Sequence, residues 1–279
     1  MTRRAPVPAV EPGRSRVVAD AVPVRTPGAE RPVPAAGAAT VPTPATVPAV
    51  GPATVPASRR AKPSPGPTWG GDPYARALER GTGPLFLRRP DGWLLPLDVE
   101  RWCAPPDEAD ATLLARCRGT VLDIGCGPGR LVAGVARRGL PVLGVDVSPE
   151  AVERTRGLGC AVLRRSVFDR LPAEGRWGTA LLADGNIGIG GDPVALLRRV
   201  GGLLAPGGLL LAETAPCEVD ERLTVRVEDA RGHHGRDFAW ARLGPSALRA
   251  AAAEAGWSVT EEWSSGPRRF AALDRNPSG

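Results

Sequence analysis

Histidine, paired cysteine and long apolar runs are all scarce in this 279-residue chain, and each scarcity removes a class of function. The five cysteines (Cys103, Cys117, Cys126, Cys160 and Cys217) are odd in number, scattered and free of any C-x-x-C pair. That excludes a disulfide framework and a structural zinc site. The two histidines, His233 and His234, are adjacent and have no cysteine or carboxylate at ligand spacing, so no metal is expected. No apolar stretch approaches membrane-spanning length, and the opening MTRRAPVPAV lacks the core of a secretory signal. A cytoplasmic protein without a membrane partner is the expectation.

Aromatic residues are missing before Trp69, and residues 1–68 hold 15 of the 31 prolines. Proline removes backbone donors and drives its predecessor toward extended conformations, and without large apolar side chains nothing offsets the entropy of ordering. Residues 1–68 therefore read as a disordered Pro/Ala-rich tail. Nine of the 36 basic residues and three of the 30 acidic ones lie there, so the tail carries the whole formal charge of +6. Residues 69–279 hold 27 of each sign. A domain selected for nucleic acid would show its basic excess on the folded part, which argues against that partner.

From Asp72 onward the pattern becomes that of folded structure. Asp72-Pro73 signals a short helix ending near Gly81, and Leu85–Arg88 and Trp93–Leu97 flank a Pro90-Asp91-Gly92 turn as a hairpin. A helix over Glu108–Cys117 completes an N-terminal cap region, 69–118. In 119–279 short apolar strands alternate with helices: strands at 120–124, 142–145, 161–163, 179–183 and 209–213, with helices from 130, 149 and 193 between them. Leu223–Glu228 and Phe238–Ala241 read as two extra strands. A helix over 245–255 and a closing strand pair, 257–263 and 270–274, end the domain. This alternation implies an α/β fold with a mainly parallel sheet covered on both faces and at least one antiparallel strand.

The chemistry concentrates in Val121-Leu-Asp-Ile-Gly-Cys-Gly-Pro-Gly-Arg130, a buried strand running into a glycine-rich turn and a helix. Such a turn lets a ligand approach the backbone at a helix N-terminus. Asp146 ends the next strand, 21 positions after Gly125, near the ~20 expected for a carboxylate that grips ribose hydroxyls. A dinucleotide fold would place a third glycine at position 130, where this chain has Arg130. Asp123, two residues before the first glycine, would repel a pyrophosphate but suits the ammonium and sulfonium of S-adenosylmethionine.

DIGCGPG followed by GVDVS resembles the first two cofactor motifs of class I S-adenosylmethionine-dependent methyltransferases, over roughly residues 115–275. The resemblance implies a Rossmann-like seven-stranded sheet of order 3-2-1-4-5-7-6 with the final strand antiparallel. It implies S-adenosyl-L-methionine as cofactor, with Gly125, Gly127 and Gly129 lining its methionine part, Asp123 at its amino group and Asp146, followed by Val147, at the ribose. Leu204-Ala-Pro-Gly-Gly-Leu209 resembles the family's turn into the fifth strand. Where the family often carries G-D-A-x-x-L-P, this chain has Ser166-Val-Phe-Asp-Arg-Leu-Pro172. Val167 takes the place of the adenine-binding aspartate, and Val167 and Phe168 are expected to sandwich the adenine.

The acceptor side is less defined. Asp184 and Asn186, in Ala183-Asp-Gly-Asn-Ile-Gly-Ile-Gly190, leave the fourth strand where open α/β sheets place ligands. Asp184 is the candidate base; the alternative is that both residues satisfy turn backbone groups. His233 and His234 fit an exposed loop tip better than a catalytic role, and Trp69, Tyr74, Trp93 and Trp102 either roof a pocket or pack the hairpin. The expected function is direct methyl transfer to a small-molecule acceptor, for which alignment matters more than acid–base machinery. The alternatives are an NAD(P)-dependent oxidoreductase and a non-catalytic cofactor-binding scaffold with the tail as docking arm.

Overall fold

The computed structural model describes residues 73–275. The tail assigned to 1–68, together with Trp69 and Asp72, lies outside them. The motif-bearing part is built on a seven-stranded sheet. Its strands, in chain order, are β3 (Val121–Ile124), β4 (Val142–Asp146), β5 (Val162–Arg164), β6 (Trp177–Leu182), β7 (Leu204–Thr214), β10 (Trp257–Ser265) and β11 (Arg268–Arg275). Across the sheet they run β5-β4-β3-β6-β7-β11-β10, which is 3-2-1-4-5-7-6 as expected. The first five are mutually parallel, and β11 is antiparallel to both β7 and β10.

Helices cover both faces because β3, β6 and β7 are apolar on both sides: all four residues of β3 are buried. One core lies around Leu122, Ile124, Leu196, Leu210, Leu248 and Trp257, the other around Leu113, Val121, Leu131, Leu181, Leu211 and Phe270. Helix starts are set locally. Ser148 accepts from the Ala151 N–H at 3.2 Å to cap α5 (Pro149–Gly157), and Asp192 does the same from Ala195 at 3.0 Å for α6 (Pro193–Leu203). Each places a proline at the first helical position, where its missing donor costs nothing. Asp107 and Asp110 form a reciprocal capping box at the start of α3 (Glu108–Ala115).

A second sheet, antiparallel and four-stranded, stands beside the first in the order β2-β1-β8-β9. The hairpin β1 (Leu85–Arg88) and β2 (Leu94–Leu97) pairs through β1 with β8 (Asp220–Asp229), and β8 pairs with β9 (Phe238–Leu243). The expected hairpin and the two extra strands are thus one structure, assembled from segments about 130 residues apart. Helix α1 (Pro73–Arg80) packs on it, with Ala77, Leu78, Leu85, Val99 and Val227 in a third apolar cluster. The short helix α2 (Val99–Cys103), capped by Asp98, has no counterpart among the sequence expectations. Five residues are too few to set up a helical period.

Candidate active site

A cavity of about 570 Å³ lies between the C-terminal ends of β3, β4 and β6 and the second sheet. The turn after β3 forms its floor. Gly125, Gly127 and Gly129 adopt φ of 70°, 53° and 91°, a region closed to most side chains. Space is equally tight: a Cβ on Gly125 would meet Asn186 at 2.8 Å, and one on Gly129 would meet Thr155 at 2.7 Å. Helix α4 (Arg130–Arg137) then starts on Gly129 with no side-chain cap, leaving its first N–H groups near the cavity floor.

Asp123, on β3, is only 2% exposed. Burial pushes its carboxyl up to about 8, and the nearby Asp184 and Asp146 add repulsion. Asp146 ends β4. Its Oδ2 accepts from the Gly127 N–H at 2.9 Å and its Oδ1 from the Ser148 N–H at 2.8 Å, so the carboxylate ties the glycine turn to the start of α5. Burial raises it as well, against those two hydrogen bonds. Val147 and Val167 line the cavity beyond Asp146, whereas Phe168 is 46% exposed and stands outside the lining with its ring against Gly190.

Asp184 sits in the left-handed region at φ 55°, just past β6. Three guanidinium groups converge on it, from Arg101 at 2.7 Å, from Arg268 at 3.3 Å and from Arg130. Burial alone would raise its pKa, but Arg130, Arg101 and Arg268 outweigh that and hold it below the ordinary value. A carboxylate so engaged is a poor proton acceptor. Its own N–H donates to Glu213 Oε2 at 2.7 Å, and Glu213 also receives Arg268 Nε at 2.8 Å and Nη2 at 2.7 Å. Arg130 and Arg268 both reach Asp110, which is fully buried. Where a dinucleotide fold has its third glycine, this chain therefore has a buried arginine joining α3, α4 and the end of β6.

Asn186 donates through Nδ2 to the carbonyls of Ile124 and Gly125, both at 2.9 Å, fastening the loop after β6 to the glycine turn. The histidines lie on the β8–β9 hairpin tip, outside the cavity. His233 Nδ1 pairs with Asp229 at 3.0 Å, and no cluster able to hold a metal ion exists among the described residues. Of the aromatic residues before the motif, Tyr74 and Trp102 line the cavity, while Trp93 takes the guanidinium groups of Arg89 and Arg242 on its ring. Arg101, which lines the cavity and pairs with Asp184, is a site residue that the sequence alone did not single out. The only signal for it is Asp98 placed as a cap before Val-Glu-Arg-Trp.

Three cavity-lining side chains each carry a buried polar atom with no partner among the described residues: Asp123 Oδ2, Trp102 Nε1 and Arg130 Nε. One acceptor and two donors suit an amino-acid end, with its ammonium and carboxylate side by side, far better than a pyrophosphate. The residues present fit S-adenosylmethionine.

The comparisons with known proteins agree. A family profile described as a methyltransferase domain matches residues 98–262, more than half of the chain. A ubiquinone biosynthesis O-methyltransferase of Xanthomonas euvesicatoria is 32% identical over 144 residues, covering 46% of this chain and 59% of that protein. Its counterpart from Xanthomonas oryzae is 33% identical over 133 residues, covering 42% and 55%. The chain thus matches between half and three-fifths of the length of these relatives. The crystal structure of a SAM-dependent methyltransferase from Bacteroides fragilis, in complex with S-adenosyl-L-homocysteine, shares the fold. Its TM-score is 0.62 at 22% identity, covering 74% of this chain and 93% of that one. Among the described residues no helix is long and apolar enough to cross a membrane. The profile match, the 3-2-1-4-5-7-6 sheet and the glycine turn between Asp123 and Asp146 make this chain a member of the class I S-adenosylmethionine-dependent methyltransferases.

Proposed function

We propose that this chain transfers the methyl group of S-adenosylmethionine to an apolar small-molecule acceptor. The observation that carries the reading is the buried, unpartnered Oδ2 of Asp123 beside three left-handed glycines and a second strand-end carboxylate, Asp146. When bound, the cofactor supplies an intrinsically activated methyl on a sulfonium. The chain's part is to hold and align. Asp123 takes the ammonium, and the backbone of Gly125, Gly127 and Gly129 lines the methionine segment. Trp102 and Arg130, whose Nε1 and Nε have no partner among the described residues, receive the carboxylate with Arg101 beside them. Asp146 has lone pairs left over from its two backbone bonds for the ribose hydroxyls, and Val147 and Val167 flank the adenine, with Phe168 at the rim.

The cap sheet closes the opposite side with Leu87, Leu95, Val227 and Trp240, which supports an apolar acceptor and the exclusion of water. The relatives named for O-methylation favour an oxygen acceptor. A pyrophosphate at the glycine turn would lie against Asp123, which counts against the NAD(P) alternative. Two measurements test the proposal: calorimetric titration with S-adenosylmethionine and with NAD(P), and transfer of labelled methyl into fractions of small metabolites. Heat with the first ligand and a labelled apolar product are expected. Heat with NAD(P) alone would overturn the reading, and cofactor binding without any labelled product would favour the scaffold.

A further inference from the structure

The acceptor half of the cavity supports a narrower statement, resting on the methyltransferase reading above. Its wall is apolar and includes the planar indole of Trp240. The Trp240 ring lies directly on Gly188, where a Cβ would come within 2.9 Å of the indole and 2.1 Å of the Ala241 carbonyl. Leu87, Leu95 and Val227 face the same space. No proton acceptor is free there among the described residues. Asp184 is held by three guanidinium groups, both oxygens of Glu213 accept from Arg268, and Asp98 caps α2 and binds Arg101 Nε at 3.0 Å. Asp123 and Asp146 belong to the cofactor end. The chain's only histidines are on the exposed hairpin tip.

Transfer of a methyl group to a neutral hydroxyl or a protonated amine must release a proton, and no described side chain of the chamber is free to receive it. We propose that the acceptor is a planar, apolar molecule whose nucleophile is an oxygen already ionised at neutral pH: an acidic phenol or enol bound as a delocalised oxyanion. A compact carboxylate would lose far more hydration on entering an apolar chamber than an anion whose charge is spread over a ring. The sulfonium opposite supplies the compensating charge. In the step itself an oxygen lone pair forms the new O–C bond to the methyl carbon. The C–S bond breaks with its electron pair left on sulfur, and anion plus cation give two neutral products with no proton to place.

The test uses the full chain with 4-nitrophenol as acceptor probe, nitrobenzene as its non-ionising counterpart, and two cofactor analogues. Sinefungin is cationic at the position of the reacting centre, and S-adenosylhomocysteine is neutral there. With sinefungin bound, 4-nitrophenol should bind in its coloured phenolate form even at about pH 6, below its free ionisation. It should bind about tenfold more weakly with S-adenosylhomocysteine, a factor that corresponds to ~1.4 kcal/mol. Trp240→Ala should weaken the phenolate at least about tenfold while sinefungin affinity is retained. If that variant does not fold, the wild-type spectrum still decides. Equal binding of nitrobenzene, uptake of the neutral phenol, or indifference to the analogue's charge would overturn the proposal. Failure of both analogues to bind would instead overturn the methyltransferase reading.

Discussion

With Asp123 at the cofactor ammonium, as proposed, cofactor affinity should depend on pH in a range where few carboxyl groups titrate. Its carboxyl is fully enclosed and raised to about 8, with Asp184 and Asp146 as its charged neighbours. In the free protein near neutrality most Asp123 is protonated, whereas a cofactor ammonium held there would select the ionised form. Apparent affinity therefore scales with the ionised fraction, roughly one part in a hundred at pH 6 and about a quarter at pH 7.5, a rise of about 20-fold. The same shift has a stability signature of fixed sign. An acid raised in the fold binds its proton more tightly folded than unfolded. The ligand-free protein thus loses stability as pH climbs from the ordinary carboxyl range toward 8, and the thermal shift given by cofactor grows over the same interval.

Calorimetry of S-adenosylhomocysteine binding in buffers of different ionisation enthalpy would read this directly, since each binding event should release close to one proton at pH 6–7. Asp123→Asn removes the titration. Its affinity should be flat with pH, should fall well below wild type at pH 8, and should converge with it near pH 6. A wild-type affinity that does not change between pH 6 and 7.5, or an asparagine variant with the same slope, would refute the reasoning. No histidine lines the cavity to imitate the effect.

Other perturbations follow from the same geometry. Arg101→Gln should weaken S-adenosylhomocysteine about tenfold but leave 5′-methylthioadenosine, which lacks the amino-acid end, unchanged; both are read by thermal shift. Asp146→Asn should weaken both ligands alike, because each carries the ribose. Asp110→Ala removes the fully buried carboxylate that Arg130 and Arg268 share, leaving Arg130 on Asp184 and Arg268 on Glu213 and Asp184, and should cost about 1–3 kcal/mol in urea unfolding. Gly188→Ala forces a Cβ onto the Ala241 carbonyl and should cost about 1–3 kcal/mol while loosening the cap.

The sheet order, the glycine turn and its two carboxylates were legible in the sequence because each leaves a local signature: an apolar run, a left-handed turn, a strand-end acid. What was not legible depends on distance along the chain. Nothing near Arg88 announces that it will face Glu228, 140 residues on, at 3.1 Å, so the union of the hairpin with β8 and β9 stayed hidden. The ion-pair cluster around Asp184 was not legible because its arginine partners arrive from α2, α4 and β11, none of them adjacent in sequence. Phe168 was placed beside the adenine by its neighbour Val167. The structure leaves its ring half-exposed against Gly190, at the cavity rim.

The acceptor wall draws on both sides of the cofactor motif, with β1 and β2 translated before it and β8 and β9 long after. Neither piece is a portable module. Grafting the late hairpin alone into another methyltransferase would leave β8 with a row of unsatisfied amides along one edge, open to pairing with a stranger. If this wall sets the acceptor, as proposed, specificity should be exchangeable only by moving both segments together, and the two should drift in step through evolution.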